Sequence, residues 1–307
     1  MKLFYKGVDI YPEISVSTCW HTMYAEGHAD EILMRLNDTQ ALWDKWSPKK
    51  GDEIKIEDGK AKSGKMFVSE VTPSSGLITI RALSMPQKVR NKVSKSWEDV
   101  KLSQLLQEVA TNTGLSLDKH NVEDKTYKYV YRNNLTEFDF LSQRCRLEGL
   151  SFLVYDGKLV IYGQKEAEAS APGEALDISN AYDYQYIDES ADIFTKCEVT
   201  DGTTKGEFTA PTEIKDSKTL HIVLPLTLTD ESEAIRFSKN LLRDANKKMQ
   251  TLTIWTDYMA RNIAPGGTVT VKTDSAHSWD GVAFVEKVRH DYVHTTSKLW
   301  LRKGLAY

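Results

Sequence analysis

Two stretches far apart in the chain carry the same pattern of glycines and apolar residues, and this restricts the fold more than any other feature. The first runs "GDEIKIEDG", "GKMFVSEV", "LITIR"; the second runs "GTVTVKT", "GVAFVEKV", "LWLR". Counted from Gly51, Ile54 and Ile56 fall at +3 and +5, as Val269 and Val271 do from Gly266. Phe67, Val68 and Val71 stand at +3, +4 and +7 from Gly64, and Phe284, Val285 and Val288 repeat those offsets from Gly281. Each copy closes on an alternating strand that ends in arginine, Ile78-Ile80-Arg81 and Leu299-Leu301-Arg302, with a longer turn before it in the second copy. Alternation at period two gives strands with one buried face. Glycines at strand entries suit tight turns or bulges where a sheet bends. Short strands at this spacing build a small barrel or sandwich. The pattern therefore predicts an α+β, mainly β chain with two related small β-barrels, Gly51 lying over Gly266 and Gly64 over Gly281.

Between the copies the pattern changes. "SWEDVKLSQLLQEVATNTGLSL" reads as a short helix with Ser103 as its cap, Leu105, Leu106, Val109 and Ala110 on one side, and Gly114 at its end. "NNLTEFDFLSQRCRLEGLSFLVYDGKLVIYG" repeats the device. Thr136 and Asp139 form a capping box, Phe138, Leu141 and Cys145 recur at helical spacing, and Gly149 closes the helix with Leu150 folded back on it. Two β-rich runs then flank Asp156-Gly157, a strong hairpin signal. "QKEAEASAPGEA" has the composition of a linker. In the second barrel, Asp230 and Glu233 cap a helix with the apolar stripe Ala234, Phe237, Leu241, Ala245 and Met249. The expected division is a first barrel over 1–90, an α+β insert over 91–163, a linker over 164–175 and a second barrel over 176–307.

The chemistry-bearing patterns are sparse. No P-loop, GxGxxG, GxSxG or HExxH occurs. His290 and His294 stand four apart, but in a strand that places them about 13 Å from each other, too far to share an ion. Cys19 and His21 share a strand face without a visible third ligand. Glu26 and Asp30 near His28 are the most suggestive carboxylate pair for glycoside hydrolysis, and among so many acidic residues a solvated loop is the expectation. Trp43 and Trp46 in "LWDKWSPKKGD" suit either sugar stacking or the closing of a barrel mouth. Neither an enzyme, a metal nor a cofactor is expected.

A formal net charge of −4 argues against a dedicated nucleic-acid binder. The basic connector "PQKVRNKVSK", with Lys88, Arg90, Lys92 and Lys95, has no aromatic residues interleaved and reads as solvated. The start, "MKLFYKGVDIYPE", lacks a signal-peptide apolar region, and no run of about 18 apolar residues follows. Cys19, Cys145 and Cys197 are odd in number and scattered. Synthesis in a reducing cytoplasm is expected.

The order barrel, helical insert, "EGLSFLVYDGKLVIYG", linker, barrel resembles the baseplate hub proteins of contractile phage tails, the late control D group, above all those of Mu-like phages, defective-prophage particles and R-type bacteriocins. The segments "WEDVKLSQLLQEVATNTGLSL" and Phe138 to Phe152, with the strand entries "GDEIKI" and "GGTVTV", carry the likeness. The resemblance implies a homotrimer in which each chain gives two barrels of one kind to a pseudo-six-fold ring. Such a ring joins a six-fold tail tube to a three-fold central spike and touches other baseplate and tape-measure proteins. The chain shows no spike-like glycine repeats and no lysozyme module, so spike and hydrolase are expected as separate chains. The competing expectation is a cell-wall-degrading or glycan-binding tail protein that uses Glu26, Asp30 and the tryptophans.

Overall fold

The computed structural model describes residues 1–86, 91–178, 183–211, 218–274 and 277–307. The first part of the chain forms β1 (Lys2–Tyr5), β2 (Val8–Asp9), β3 (Ser15–Tyr24), β4 (Glu31–Asn37), the short α1 (Leu42–Trp46), β5 (Glu53–Asp58), β6 (Ala61–Lys62), β7 (Met66–Ser74) and β8 (Leu77–Leu83). The middle part forms β9 (Val93–Lys101), α2 (Leu102–Thr113), β10 (Ser116–His120), β11 (Thr126–Leu135), α3 (Glu137–Glu148), β12 (Leu150–Tyr155), β13 (Lys158–Gly163) and α4 (Gln164–Glu168). The last part contains β14 (Glu174–Asp177), β15 (Asp183–Asp188), β16 (Lys196–Thr200), β17 (Lys205–Thr209), β18 (Thr219–Val223) and α5 (Glu231–Asn246). It ends with β19 (Gln250–Thr256), β20 (Thr268–Lys272), β21 (Gly281–Asp291) and β22 (Thr296–Arg302). Lys88 and Arg90 of the basic connector lie outside the described residues.

The two repeated stretches take the same hydrogen bonds. Gly51 donates its N–H to the Val68 carbonyl at 2.7 Å, and Gly266 donates to Val285 at 2.9 Å. Both glycines have positive φ, 91° and 85°, a conformation that favours glycine. Phe67 stands opposite Glu53 and Leu83; Phe284 stands opposite Thr268 and Arg302. A bulge follows Val68 in β7 and Val285 in β21. The strand order β3-β4-β8-β7-β5 in the first half recurs as β15-β19-β22-β21-β20 in the second. The flanking strand differs, since β1 runs antiparallel to β5 whereas β14 runs parallel to β20.

The third strand of each copy pairs in a different register from the one its arginines suggest. Val71 faces Ile80 and Val288 faces Leu299, so Arg81 corresponds to Trp300, and Arg302 corresponds to Leu83. A two-residue slip keeps every side chain on its own face of a strand, so alternation cannot distinguish these registers.

Both copies run into one 14-stranded sheet through the pairing of β3 with β21. This sheet curls as a half-barrel over two cores rather than closing as two separate sheets. Leu3, Ile32, Met34, Ile54, Ile56 and Ile80 fill the first core. Leu252, Ile254, Val271, Val285, Val288 and Leu299 fill the second.

A third core crosses the expected boundaries. The buried faces of α2 and α3 and the hairpin β12–β13 pack with Cys197, Val199, Phe237 and Leu241 of the last part. Thus β16–β18 and α5, inserted where the first copy has only the β3–β4 turn, rest on the middle part of the chain. An amphipathic stripe shows that a helix is covered, not by what. Arg236 bonds Glu148 across this contact at 2.9 Å, and Asn240 bonds the Leu147 carbonyl at 2.8 Å. Thr136 and Asp139 form their capping box, and Asp230 accepts from Glu233 N at 3.0 Å. At α2 the cap is Lys101, with Gln104 reaching back to it, while Ser103 bonds Asp124. Ala245 is exposed and Leu242 takes its place in the buried stripe.

Candidate functional site

The strand joint between the halves is held by specific side chains. Lys287 to Asp291 pair with Tyr24 back to Trp20, and the Trp20 indole donates to Asp291 at 3.0 Å. His290 stands directly opposite His21, both buried. His290 Nδ1 lies 2.8 Å from Ser297 Oγ, whereas neither ring nitrogen of His21 has a partner. Burial pulls the His21 imidazole down to about 3, with His290 adding repulsion. Burial, with repulsion from Arg261 against attraction to Asp58, brings His290 to about 4. Arg261 itself bonds Asp58 at 2.6 Å, a further tie between the halves.

The hairpin β12–β13 straddles both copies. Asp156 and Gly157 take left-handed conformations at its tip, where Asp156 accepts from Lys65 N at 3.2 Å. At its base, the Tyr162 hydroxyl donates to the Ala25 carbonyl at 2.7 Å, and lies 3.5 Å from where a Cβ on Gly266 would stand.

Beside this hairpin lies a cleft of about 500 Å³, lined among others by Glu26, His28, Ser151, Lys247, Lys287 and Trp300. Glu26 accepts from Ser151 Oγ at 2.5 Å and Gln164 Nε2 at 2.8 Å, and from Lys247 Nζ. Burial raises its carboxyl, but the Lys247 charge and these hydrogen bonds outweigh burial and hold it low. Asp30 is 6% exposed and does not line the cleft. It accepts from Tyr24 N at 2.9 Å while its own N–H bonds Ser84 Oγ at 3.0 Å, clasping the β3–β4 turn. Burial pushes Asp30 up to about 7, against the pull of the Tyr24 N–H. The structure therefore does not set these two carboxylates across one cavity.

The residues expected to form a linker open as α4, with Gln164 and Glu168 buried. Glu168 accepts from Arg243 Nη2 at 2.9 Å, Arg302 Nη2 at 2.8 Å and Leu305 N at 3.0 Å. Arg302 Nε also lies 3.0 Å from Glu286, in ion-pair contact but misaligned for a hydrogen bond. A polar composition resembles a tether until its charges find partners remote in sequence.

Trp43 is buried in the first core, edge-on to Tyr5, while Trp46 packs edge-on against it at 4.9 Å and remains 39% exposed. Cys19 is buried, its thiol pushed up to about 12 by burial and by Asp291. His294 is exposed and bonds Asp291, away from buried His290. Among the described residues no three His, Cys, Asp or Glu side chains converge as a metal site, and no helix is long and apolar enough to cross a membrane.

The whole chain superposes on solved tail proteins. The 43 kDa tail protein of prophage MuSo2 from Shewanella oneidensis matches with a TM-score of 0.76 at 14% identity, covering 99% of this chain and 98% of that one. This is the fold of prophage tail proteins. The tail protein from Neisseria meningitidis MC58 matches with a TM-score of 0.76 at 14% identity, over 98% of this chain and 95% of that one. The E. coli c3393 protein, a type VI secretion component described as similar to the T4 bacteriophage tail proteins gp27 and gp5, matches at 0.66 and 8% identity, over 100% of this chain and 77% of that one. No protein-family model matches the sequence, and no curated protein matches it.

Proposed function

We propose that the chain is a structural baseplate hub of a contractile tail or tail-like particle, without a reaction of its own. Three copies form a ring of six similar units that joins a six-fold tail tube to a three-fold central spike, with other baseplate and tape-measure proteins as neighbours. The observation that carries this reading is the repeated five-strand unit, joined edge to edge within the chain by β21 and β3. The same joint between chains would use β7 of the first copy and β15 of the second. Among the described residues β15 has no neighbour on its outer edge, and on that edge β7 pairs with β5 only through Met66 and Phe67, leaving Glu70–Ser74 without a partner strand. An open strand edge is a template for pairing, and a closed ring uses all such edges.

The repeat also supplies a register. Arg289 opposite Thr22 becomes Thr72 opposite Ile187 of the next chain. Two features restrain the contact. Glu70 comes to face Glu189, and Pro73 occupies the place of His290. Tyr292 N bonds the Cys19 carbonyl across the internal joint and Ala25 N bonds the Glu286 carbonyl. Strand N–H groups alternate sides, so that of His290 points the same way as that of Tyr292, and proline has none to offer.

Thr72→Cys with Ile187→Cys tests the ring. These positions correspond to a non-hydrogen-bonded cross-strand pair, whose Cα separation of about 4.5 Å accepts a disulfide. Oxidised particles should yield a covalent trimer on a non-reducing gel. Assembled particles that yield only monomer under the same oxidation would overturn this joint.

A further inference from the structure

The register that joins the halves also sets cations between aromatic rings on the outer face of the sheet. Tyr24, Lys287 and Trp300 lie side by side in one rung; Thr22, Arg289, Lys298 and Trp255 make the next. Lys298 Nζ stands 4.1 Å from the Trp255 centroid and 4.8 Å from that of Trp300. Lys287 Nζ stands 4.2 Å from Trp300 and 5.0 Å from Tyr24. The Arg289 guanidinium lies 5.3 Å from the Trp20 ring and donates to Thr22 Oγ1 at 3.2 Å. All of these charged and aromatic side chains are partly exposed.

Among the described residues, none of these three cations has a carboxylate within ion-pair distance, and neither does Lys248 at the rim of the neighbouring cleft. Their rings hold them side by side despite mutual repulsion. Burial and then the nearby cations, Arg289, Lys298 and Lys248, lower the Lys287 ammonium against the attraction of Glu31; burial and Arg289 lower Lys298. Unpaired positive charge concentrated in a chain of net charge −4 calls for an anion from outside.

We propose that this row is a docking surface for an acidic polypeptide segment of a partner protein, with carboxylates seated over Lys287, Arg289 and Lys298. Two observations favour carboxylates over a nucleic acid. The aromatic faces are already covered by the cations, which leaves no free platform for stacked bases. The patch is also short, since Asp291, Glu31 and Asp183 stand in the same or adjoining rungs, and a run of phosphates would meet them. Tyr24, Lys248, Lys287 and Trp300 line the cleft of about 500 Å³, which has room for a side chain of the bound segment. The inference does not depend on the ring proposed above.

The test titrates the intact protein with a labelled oligo-glutamate peptide and, in parallel, with a single-stranded oligonucleotide of equal length. The peptide should bind saturably, change tryptophan emission, and weaken as salt rises to about 0.15 M. Lys287→Gln with Lys298→Gln should weaken it about tenfold or more, as the loss of two charge-assisted contacts implies. Lys298→Arg should keep binding, which separates charge from packing, and Arg35→Gln, elsewhere on the same face, should leave it unchanged. Tighter binding of the oligonucleotide, no binding of the peptide, or an equal loss in Arg35→Gln overturns the proposal.

Discussion

Arg302 donates from Nη2 to Glu168 Oε1 at 2.8 Å, and both side chains are buried. Arg243 holds the other carboxylate oxygen at 2.9 Å, so one carboxylate bridges two guanidinium groups drawn from α5 and β22. Glu168→Gln keeps the shape and removes the charge. Breaking a buried pair on one side costs about 3–5 kcal/mol, and urea unfolding should show a loss of that order. A change under about 1 kcal/mol would mean that the node is not structural.

Gly64 tests the seating of the hairpin on the first copy. Its φ is +64°, and a Cβ there would stand 3.0 Å from both the backbone nitrogen and the Cβ of Asp156. Gly64→Ala should therefore lower stability by about 1–3 kcal/mol through strain and displacement of the tip. Asp156→Gly, which tolerates the left-handed turn and loses the Lys65 N–H bond, should cost about 1 kcal/mol. Equal losses in the two variants would refute the close approach.

The joint should weaken in acid. His21 and His290 have folded values near 3 and 4 against about 6.5 when unfolded. The unfolded chain therefore takes up their protons first, and stability present above pH 6.5 is lost as the pH falls toward 4. Asp30 acts in the opposite direction. Its folded value near 7 exceeds the ordinary 3.8, so the folded form gains as the pH falls from 7 to 4. With two imidazoles against one carboxyl, the net loss is about 1.4 kcal/mol per pH unit between pH 6.5 and 4. His21→Leu should flatten this slope in denaturant unfolding measured across the range; an unchanged slope would exclude the pair as its source.

Local features of the fold were legible in the sequence because their causes lie within a few residues. The Thr136–Asp139 box, the Asp156-Gly157 turn, and the strand entries at Gly51 and Gly266 are of this kind. Matching the third strand of each copy through Arg81 and Arg302 failed because period-two alternation repeats after two residues. The buried role of Glu168 was hidden because Arg243 and Arg302 are distant in sequence. Trp20, Trp255 and Trp300 come together with Lys287 and Lys298 only through the registers of four strands, a relation no single segment carries. Glu26 and Asp30 looked like a pair because they are close along the chain, yet they face different surroundings.

Incubation with purified peptidoglycan should release no soluble fragments, and Glu26→Gln should change stability rather than any lytic rate. Glu26 is already engaged by Ser151, Gln164 and Lys247, which leaves it poorly placed as an acid or base. Robust lysis abolished by Glu26→Gln would favour the hydrolase instead.

At the proposed ring contact, Glu70→Lys should promote self-association by replacing a like-charge pair with Glu189 by an opposite one, a change of about 0.2–1 kcal/mol per cross-strand pair. Sedimentation at several concentrations would measure it. No increase in trimer for Glu70→Lys, in a variant that still assembles into particles, would show that β7 and β15 do not meet in this register.

Pro73 gives the exposed edge of β7 a second meaning. A subunit made in quantity in a crowded cell, with a flat strand edge fully equipped to bond, would zip onto its own copies in whatever arrangement came first. One missing donor near the end of that strand weakens premature zippering while leaving side-chain packing intact. If the chain closes a ring as proposed, that missing donor would favour dispersed subunits until a template gathers them, and the order of assembly would be written partly in an imino acid.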